Sequence, residues 1–128
     1  MRLIKLTMQA FGAYPEKTEI PFSKLGNLFL ISGVTGSGKT TIFDGISYAL
    51  FDTPSGSYRD KESLRSHYAK DSVKTYVELD FLYNGDEYKI YRSPSQKRKK
   101  MKGEGYTQIS AEAHLYMPDG KIIEKNEL

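Results

Sequence analysis

Residues 33–41 have the composition and spacing of a loop that binds the phosphates of a nucleoside triphosphate. Gly33 is followed by four residues and then by Gly38, Lys39 and Thr40. Glycine has no Cβ, so the backbone can curl closely around a phosphate and direct successive N–H groups at it. The lysine supplies a positive charge for the outer phosphates. The Thr40 hydroxyl is the expected ligand of a magnesium ion that bridges phosphate oxygens.

The two segments beside this loop are of the kinds that position such a site. Residues 28–31, LFLI, are continuously apolar, which is typical of a strand covered on both faces in an α/β sheet. Apolar residues then recur at helical spacing and predict a helix over residues 39–51, whose first N–H groups would point at the same phosphates. Gly45 inside this helix costs about 1 kcal/mol relative to alanine, which indicates close packing there.

A glycine-rich turn that holds no ligand would also satisfy the bare pattern. Strand, loop, helix, lysine and tandem threonines stand in register, however, and together they favour a phosphate-binding loop. We expect Thr41 to contact an inner phosphate. The predicted phosphate-binding residues are Gly33, Val34, Thr35, Gly36, Ser37, Gly38, Lys39, Thr40 and Thr41.

The rest of the chain predicts an antiparallel β meander. Apolar residues alternate with polar ones along residues 3–9 and again from Thr75, which is the period of a half-buried strand. Asn84-Gly85 is a strong signal for a tight hairpin because both residues tolerate positive φ. Further strands are predicted at residues 17–22, 87–92, 109–115 and 121–123, and a short helical turn is predicted within residues 61–71.

Composition sets the remaining bounds. The 128 residues are enough for one domain with a real core, and the absence of cysteine excludes disulfides and thiolate metal sites. No apolar run reaches the roughly 18 residues of a membrane span, and the N-terminus has no signal-peptide pattern, so we expect a cytoplasmic protein without membrane contact. His67 and His114 lie far apart, outside any metal-ligand spacing, and are interpreted as ordinary residues.

Positive charge is concentrated in residues 89–102, KIYRSPSQKRKKMK. This segment holds seven of the nineteen lysines and arginines and no acid, whereas the remainder carries twelve basic and sixteen acidic residues. Its tip either is a solvated loop or contacts DNA phosphates without reading sequence. Tyr88, Tyr91 and Tyr106 nearby suit base stacking and strand packing equally. The candidate DNA-binding residues are Lys97, Arg98, Lys99, Lys100 and Lys102.

Several motifs along the chain occur together in one known family. FLISG, GSGKT, IFD, YALF and the downstream LRS make the sequence resemble the SbcC ATPases, which belong to the structural-maintenance-of-chromosomes class and work in DNA double-strand break repair. The resemblance implies an α/β fold of the P-loop NTPase kind. Residues 1–128 would form the N-terminal lobe of an ABC-type ATPase head, with an antiparallel β meander.

The resemblance also implies cofactors, contacts and partners. ATP and Mg²⁺ would occupy the phosphate loop, residues 11–14 would approach the nucleotide from the side, and Arg65 would reach nucleotide phosphates or DNA. The implied partners are an SbcD-like nuclease subunit, the protein's own C-terminal lobe, a second head in a homodimer, and double-stranded DNA bound without sequence preference. The protein would then work in the cytoplasm, associated with the nucleoid.

Some parts that the family uses for hydrolysis do not occur in this sequence. It contains no apolar run ending in Asp-Glu, so no catalytic residue is identified, and we interpret the chain as an N-terminal fragment that hydrolyses ATP poorly or not at all. Two alternatives stay open. A small-molecule kinase also carries such a loop, although the meander argues against it, and a nucleic-acid-binding module could grip phosphate without turnover.

Overall fold

A computed structural model describes residues 1–22, 39–52, 65–66, 69–70, 73–99 and 102–124. Within these ranges the chain forms eight strands and one helix. The helix begins at Lys39 and ends at Phe51, as the sequence predicts. The elements are β1 (Arg2–Gln9), β2 (Thr18–Pro21), α1 (Lys39–Phe51), β3 (Tyr76–Tyr83), β4 (Asp86–Ser93), β5 (Gln96–Lys99), β6 (Tyr106–Ile109), β7 (Glu112–Tyr116) and β8 (Ile122–Glu124).

Six of the strands form one antiparallel sheet in the order β2-β1-β3-β4-β7-β8, which confirms the predicted meander. The hairpin at Asn84-Gly85 is confirmed as well, since β3 pairs with β4 and the two turn residues have φ of 52° and 83°. The remaining strands, β5 and β6, pair only with each other and form a separate two-stranded arm.

The prediction of one continuous strand over residues 109–115 is wrong. Ile109 is the last residue of β6 and pairs with Gln96 of β5, whereas β7 begins at Glu112 and pairs with β4. Pro94 follows the last residue of β4 and has no N–H with which to continue the ladder. The chain therefore leaves the sheet there, runs out and back through the arm, and rejoins the sheet at β7.

Helix α1 packs on one face of the six-stranded sheet, where the core lies. Leu6 and Met8 from β1 meet Val77 and Leu79 from β3 in this core, and all four are fully buried. A Cβ added to Gly45 would lie 2.9 Å from the Met8 sulfur. This approach confirms the close packing that the sequence indicated at Gly45.

The C-terminal end of α1 is held by two residues. Asp52 adopts φ of 60° and donates its N–H to the Tyr48 carbonyl at 2.9 Å, which is a common way to end a helix. The buried Arg92 donates from Nε to the Ala49 carbonyl at 3.2 Å, and its Nη1 lies 3.8 Å from an Asp52 carboxylate oxygen. These contacts fix the C-terminal end of the helix to β4. The other end begins at Lys39, directly after the glycine-rich residues of the phosphate loop in the sequence.

The opposite face of the sheet carries polar and aromatic side chains. Tyr91 stacks between Tyr76 and His114, with ring centroids 5.4 Å and 5.5 Å away. Asp80 lies between the ammonium groups of Lys5 and Lys89, at 3.9 Å and 3.8 Å. In the part of the chain that the structure describes, no helix is long and apolar enough to cross a membrane.

Tyr48 is expected to make the fold sensitive to alkaline pH. Its side chain is 1% exposed, and burial, followed by the nearby Asp52 charge, raises its pKa above the ordinary value of 10.0. The folded state therefore keeps a proton that the unfolded chain releases, so stability falls as the pH rises above about 10, by at most about 1.4 kcal/mol per pH unit. Chemical denaturation between pH 8 and pH 11 should show this fall in the unmodified chain and a shallower one in Tyr48→Phe. Equal slopes in the two proteins would contradict the assignment.

Candidate functional site

The structure describes the predicted phosphate-binding residues only from the start of α1. Residues 33–38 lie outside the described ranges, and for Lys39 and Thr40 only the backbone is described. α1 begins at Lys39 and has no acidic residue in its first turn. A helix N-terminus without a carboxylate beside it fits an anionic ligand, because its first N–H groups are unpaired within the helix.

A tight turn over residues 11–14 lies against this end of the helix. Phe11 and Tyr14 exchange two backbone hydrogen bonds of 2.9 Å, and between them Gly12 adopts φ of 55°. The Ala13 N–H donates to the Thr41 hydroxyl at 3.2 Å. The turn is therefore held beside the first turn of α1. The approach of residues 11–14 to a bound nucleotide remains a prediction.

Thr41 is itself buried, with 7% of its surface exposed. Its hydroxyl accepts a hydrogen bond from the turn, and a threonine hydroxyl that accepts in this way still has its own proton to donate. That arrangement is compatible with donation to an inner phosphate. Contact of Thr41 with a phosphate, Lys39 as the phosphate cation and Thr40 as the Mg²⁺ ligand remain predictions.

Arg65 lies on the other side of the same turn, where it forms an isolated β-bridge with Phe11. Its guanidinium donates from Nη1 to the Val73 carbonyl at 2.6 Å and to the Thr75 hydroxyl at 2.9 Å, and from Nη2 to the Lys70 carbonyl at 2.8 Å. All three acceptors are neutral, and among the residues that the structure describes no carboxylate pairs with Arg65. Its predicted contact with nucleotide phosphates or DNA stays a prediction.

Thr75 joins this arginine to both the turn and the arm. The Thr75 hydroxyl donates to the Ala10 carbonyl at 2.8 Å, immediately before the turn. Its backbone N–H donates to Gln96 Oε1 at 2.8 Å, and Gln96 Nε2 donates back to the Thr75 carbonyl at 3.0 Å. Both residues are buried. Sequence reasoning missed this cluster, because a threonine and a glutamine in polar segments carry no periodic signal.

The arm carries the candidate DNA-binding residues. Lys97 lies in β5 opposite Gln108 of β6, and both Lys97 and Lys102 are exposed. Arg98 and Lys99 also belong to β5, where only their backbone is described, and Lys100 falls outside the described residues. The basic run is thus part of a paired hairpin, with Lys97 nearer its base than the sequence suggested.

Two of the seven basic residues in the segment serve the fold. Lys89 lies near Asp80 in the sheet, and Arg92 binds the end of α1. Of the three nearby tyrosines, Tyr88 stacks on Phe81 at 5.6 Å and Tyr91 packs within the sheet, whereas Tyr106 on the arm is 56% exposed. Strand packing therefore accounts for two of the tyrosines.

Comparison with known sequences places these features in a family. The sequence matches the family described as AAA domain over residues 5–127. It is 44% identical to the SbcC component of the SbcCD nuclease of Vibrio cholerae, over 117 residues that make up 90% of this chain. It is 42% identical to the SbcC component of the same nuclease from Lactococcus lactis, over 131 aligned residues that cover 100% of this chain. The chain spans only 12% of the length of each of these relatives.

The fold has a counterpart among solved structures. The SMC head domain from Thermotoga maritima superposes with a TM-score of 0.53 and 28% sequence identity, over 96% of this chain and 39% of that one. This agrees with the predicted α/β fold of the P-loop NTPase kind, with its helix and antiparallel meander forming the N-terminal lobe of an ATPase head. The chain belongs to the AAA domain family, is of the SbcC type and has the fold of an SMC head.

Proposed function

We propose that this chain is the ATP-binding lobe of the ATPase component of an SbcCD-like nuclease complex that acts in DNA double-strand break repair. The observation that carries the proposal is the start of α1 at Lys39, directly after the glycine-rich loop, with the turn of residues 11–14 hydrogen-bonded to Thr41 beside it. The names and identities of the relatives support the complex to which we assign it.

The chain's own residues would bind and orient the nucleotide. The phosphate loop and the N–H groups of the first helical turn would hold the phosphates, Lys39 would add a full positive charge, and Thr40 would supply an oxygen ligand for Mg²⁺. The turn of residues 11–14 limits the site on one side. When bound, ATP with Mg²⁺ supplies the phosphoanhydride bond whose cleavage would reset the complex.

Hydrolysis needs groups that we propose come from elsewhere. No aspartate–glutamate strand end occurs in this sequence, so the chain by itself would bind nucleotide without turning it over. We propose that its own C-terminal lobe and a second head, in a homodimer, complete the site. ATP-driven closure of the heads would then control the access of DNA to an SbcD-like nuclease subunit.

The arm gives this lobe a contact for double-stranded DNA. Its cations repeat along a projecting hairpin, and the described residues of the arm show no element that would read base edges, so binding should be independent of sequence. Each phosphate neutralised by a lysine releases counterions, which makes such binding salt-dependent. A protein that works on chromosomal DNA acts at the nucleoid, and we place this one there, in the cytoplasm.

Calorimetric titration of ATP with Mg²⁺ into the chain and its Lys39→Ala variant tests the nucleotide site. We expect Lys39→Ala to weaken binding by about 10- to 100-fold, since a hydrogen bond to a charged group contributes about 1.5–3 kcal/mol. The matched control is Lys121→Ala, which removes the same charge from an exposed turn. Equal affinities for the Lys39→Ala and control proteins would contradict the assignment.

The same preparations separate the alternative functions. Binding without hydrolysis by the unmodified chain supports a catalytically incomplete ATPase lobe. Steady hydrolysis of ATP by the isolated chain, or phosphate transfer to a small molecule, would favour a self-sufficient kinase. Binding of DNA that Lys39→Ala leaves unchanged, in a chain that binds no ATP, would identify a nucleic-acid-binding module without turnover.

A further inference from the structure

The backbone just before the turn of residues 11–14 has an unfavourable conformation. Ala10 adopts φ of 51°, and Gly12, two residues later, adopts φ of 55°. Glycine takes such a left-handed conformation freely, whereas an alanine resists it because its Cβ crowds the following carbonyl oxygen. Ala10 is also fully buried. A residue stays in this conformation only where the surrounding structure holds it there.

Two hydrogen bonds to the Ala10 carbonyl hold this conformation. The Thr75 hydroxyl donates to the carbonyl oxygen at 2.8 Å, and the Ser66 N–H donates to the same oxygen at 2.8 Å. Both donors come from segments more than fifty positions further along the chain. The direction of the Ala10 carbonyl is therefore fixed by tertiary contacts, from outside the turn itself.

Thr75 is in turn held by the base of the arm. The Gln96 side chain accepts from the Thr75 N–H at 2.8 Å and donates to the Thr75 carbonyl at 3.0 Å. Its Nε2 also donates to the Pro94 carbonyl at 3.1 Å, and the whole Gln96 residue is buried. Two bonds to one residue fix both the place and the direction of its backbone. A chain of buried hydrogen bonds thus runs from the first residue of β5 to Ala10.

The turn that follows Ala10 lies closely against the first turn of α1. The Ala13 N–H donates to the Thr41 hydroxyl at 3.2 Å, and a Cβ added to Gly12 would lie 2.4 Å from Thr41 Cγ2. If Ala10 relaxed to a negative φ, the residues after it would leave in another direction. The turn would then lose its bond to Thr41 at the end of the helix where we propose that the nucleotide binds.

We propose that Thr75 and Gln96 are positioning residues of the nucleotide site. Neither acts by contact with ATP: together they hold Ala10 in its left-handed conformation and so keep the turn of residues 11–14 against Thr41. The inference rests on the nucleotide site of the proposed function and deepens it, because the base of the arm then contributes to the affinity for Mg-ATP through Gln96.

Calorimetric titration of Mg-ATP into folded variants of the chain at low temperature tests the proposal. We expect Thr75→Val to weaken binding by about five-fold and Gln96→Ala by about four-fold, because the apparent affinity falls with the fraction of molecules whose turn is in place. Gln108→Ala is the matched control. It removes the same amide group from the arm, but the bond of Gln108 goes to the Ser95 hydroxyl within the arm, so the affinity should stay unchanged.

Two further variants distinguish positioning from a general loss of stability. Thr75→Ser keeps the hydroxyl that donates to Ala10 and should retain the affinity of the unmodified chain. Glycine needs no support at positive φ, so Thr75→Val added to Ala10→Gly should weaken binding by less than about two-fold relative to Ala10→Gly alone. Circular dichroism melts check that every variant is folded, and Gln96→Ala carries the test if Thr75→Val does not fold.

The outcomes separate this inference from the function on which it rests. Unchanged Mg-ATP affinity in Gln96→Ala and Thr75→Val, with binding by the unmodified chain intact, would overturn the positioning role and keep the nucleotide site. No Mg-ATP binding by the unmodified chain would overturn both. If Thr75→Val caused the same loss with and without Ala10→Gly, the effect would not pass through the conformation of Ala10, and the proposal would be wrong.

Discussion

Replacing Gly12 with alanine is expected to lower the free energy of unfolding by about 3 kcal/mol, a large effect for the addition of one methyl group. Gly12 has φ of 55°, a conformation that costs a residue with a Cβ about 1–2 kcal/mol. The added Cβ would also lie 2.4 Å from Thr41 Cγ2 and 2.7 Å from Thr41 Oγ1. Since Thr41 is buried and β-branched, it cannot rotate away freely, and such overpacking adds about 1–3 kcal/mol.

The chain offers a control that separates these two terms. Gly85 has φ of 83°, but a Cβ there would meet nothing within 4 Å. Gly85→Ala should therefore show the backbone term alone, about 1 kcal/mol, in urea denaturation. Adding Thr41→Ser to Gly12→Ala removes the methyl group that clashes and should recover part of the loss. Equal destabilisation by Gly12→Ala and Gly85→Ala would contradict the close approach.

The close approach of Gly12 to Thr41 also links the turn of residues 11–14 to the first turn of the helix. If the turn is displaced, the Ala13 N–H loses the Thr41 hydroxyl, and the first turn of α1 loses its neighbour on that side. Mg-ATP affinity measured on folded Gly12→Ala at low temperature should therefore fall as well. In Gly85→Ala, whose change lies in a hairpin far along the chain, the affinity should stay unchanged.

Elements with a local, regular signal could be predicted from the sequence. The bounds of α1 follow from apolar residues at helical spacing between a glycine-rich loop and a polar segment, and the structure has the helix at Lys39–Phe51. The β3–β4 hairpin follows from Asn84-Gly85, because few residue pairs tolerate positive φ twice. In both places the physical cause lies within a few residues of its effect.

The break between Ile109 and Glu112 had no such local cause. The apolar alternation from Ile109 to Leu115 crosses from the last residue of β6 into β7, so it predicts one strand. The split is decided at the partner strand, where β4 ends at Ser93 and Pro94 cannot continue the ladder. The alternation along a strand indicates which face of the sheet each residue lies on. It does not indicate where the partner strand ends.

The same difference between local signals and contacts of distant residues applies to the candidate site. The phosphate loop is a local motif and was recognised, although residues 33–38 lie outside the described residues. The cluster around Thr75 joins Ala10, 65 positions earlier, to Gln96, 21 positions later. No short window of sequence contains both ends of those bonds. The neutral acceptors that hold Arg65 were invisible for the same reason, although the arginine itself was singled out.

Thr75→Val should reveal how much this cluster contributes, and we expect it to lower the free energy of unfolding by about 2–3 kcal/mol. The side chain is fully buried, so valine fits the space without exposing surface. It cannot donate to the Ala10 carbonyl or accept from Arg65 Nη1, as the hydroxyl does at 2.8 Å and 2.9 Å. Bonds to a charged donor contribute about 1.5–3 kcal/mol, and the extra methyl group buried by valine offsets part of that loss.

The control Thr18→Val makes the same chemical change at a hydroxyl that contributes little to stability. The Thr18 hydroxyl donates one exposed hydrogen bond of 3.3 Å, to the Glu16 carbonyl. The control should stay within about 0.5 kcal/mol of the unmodified chain in urea denaturation, and Thr75→Ser, which keeps the hydroxyl, should lose less than Thr75→Val. If Thr75→Val and Thr18→Val were equal, the hydroxyl of Thr75 would not be holding Arg65. If the expected order holds, the position of the Arg65 guanidinium depends on the Thr75 hydroxyl. The same buried residue then holds both the arm, through Gln96, and the turn beside α1, through Ala10.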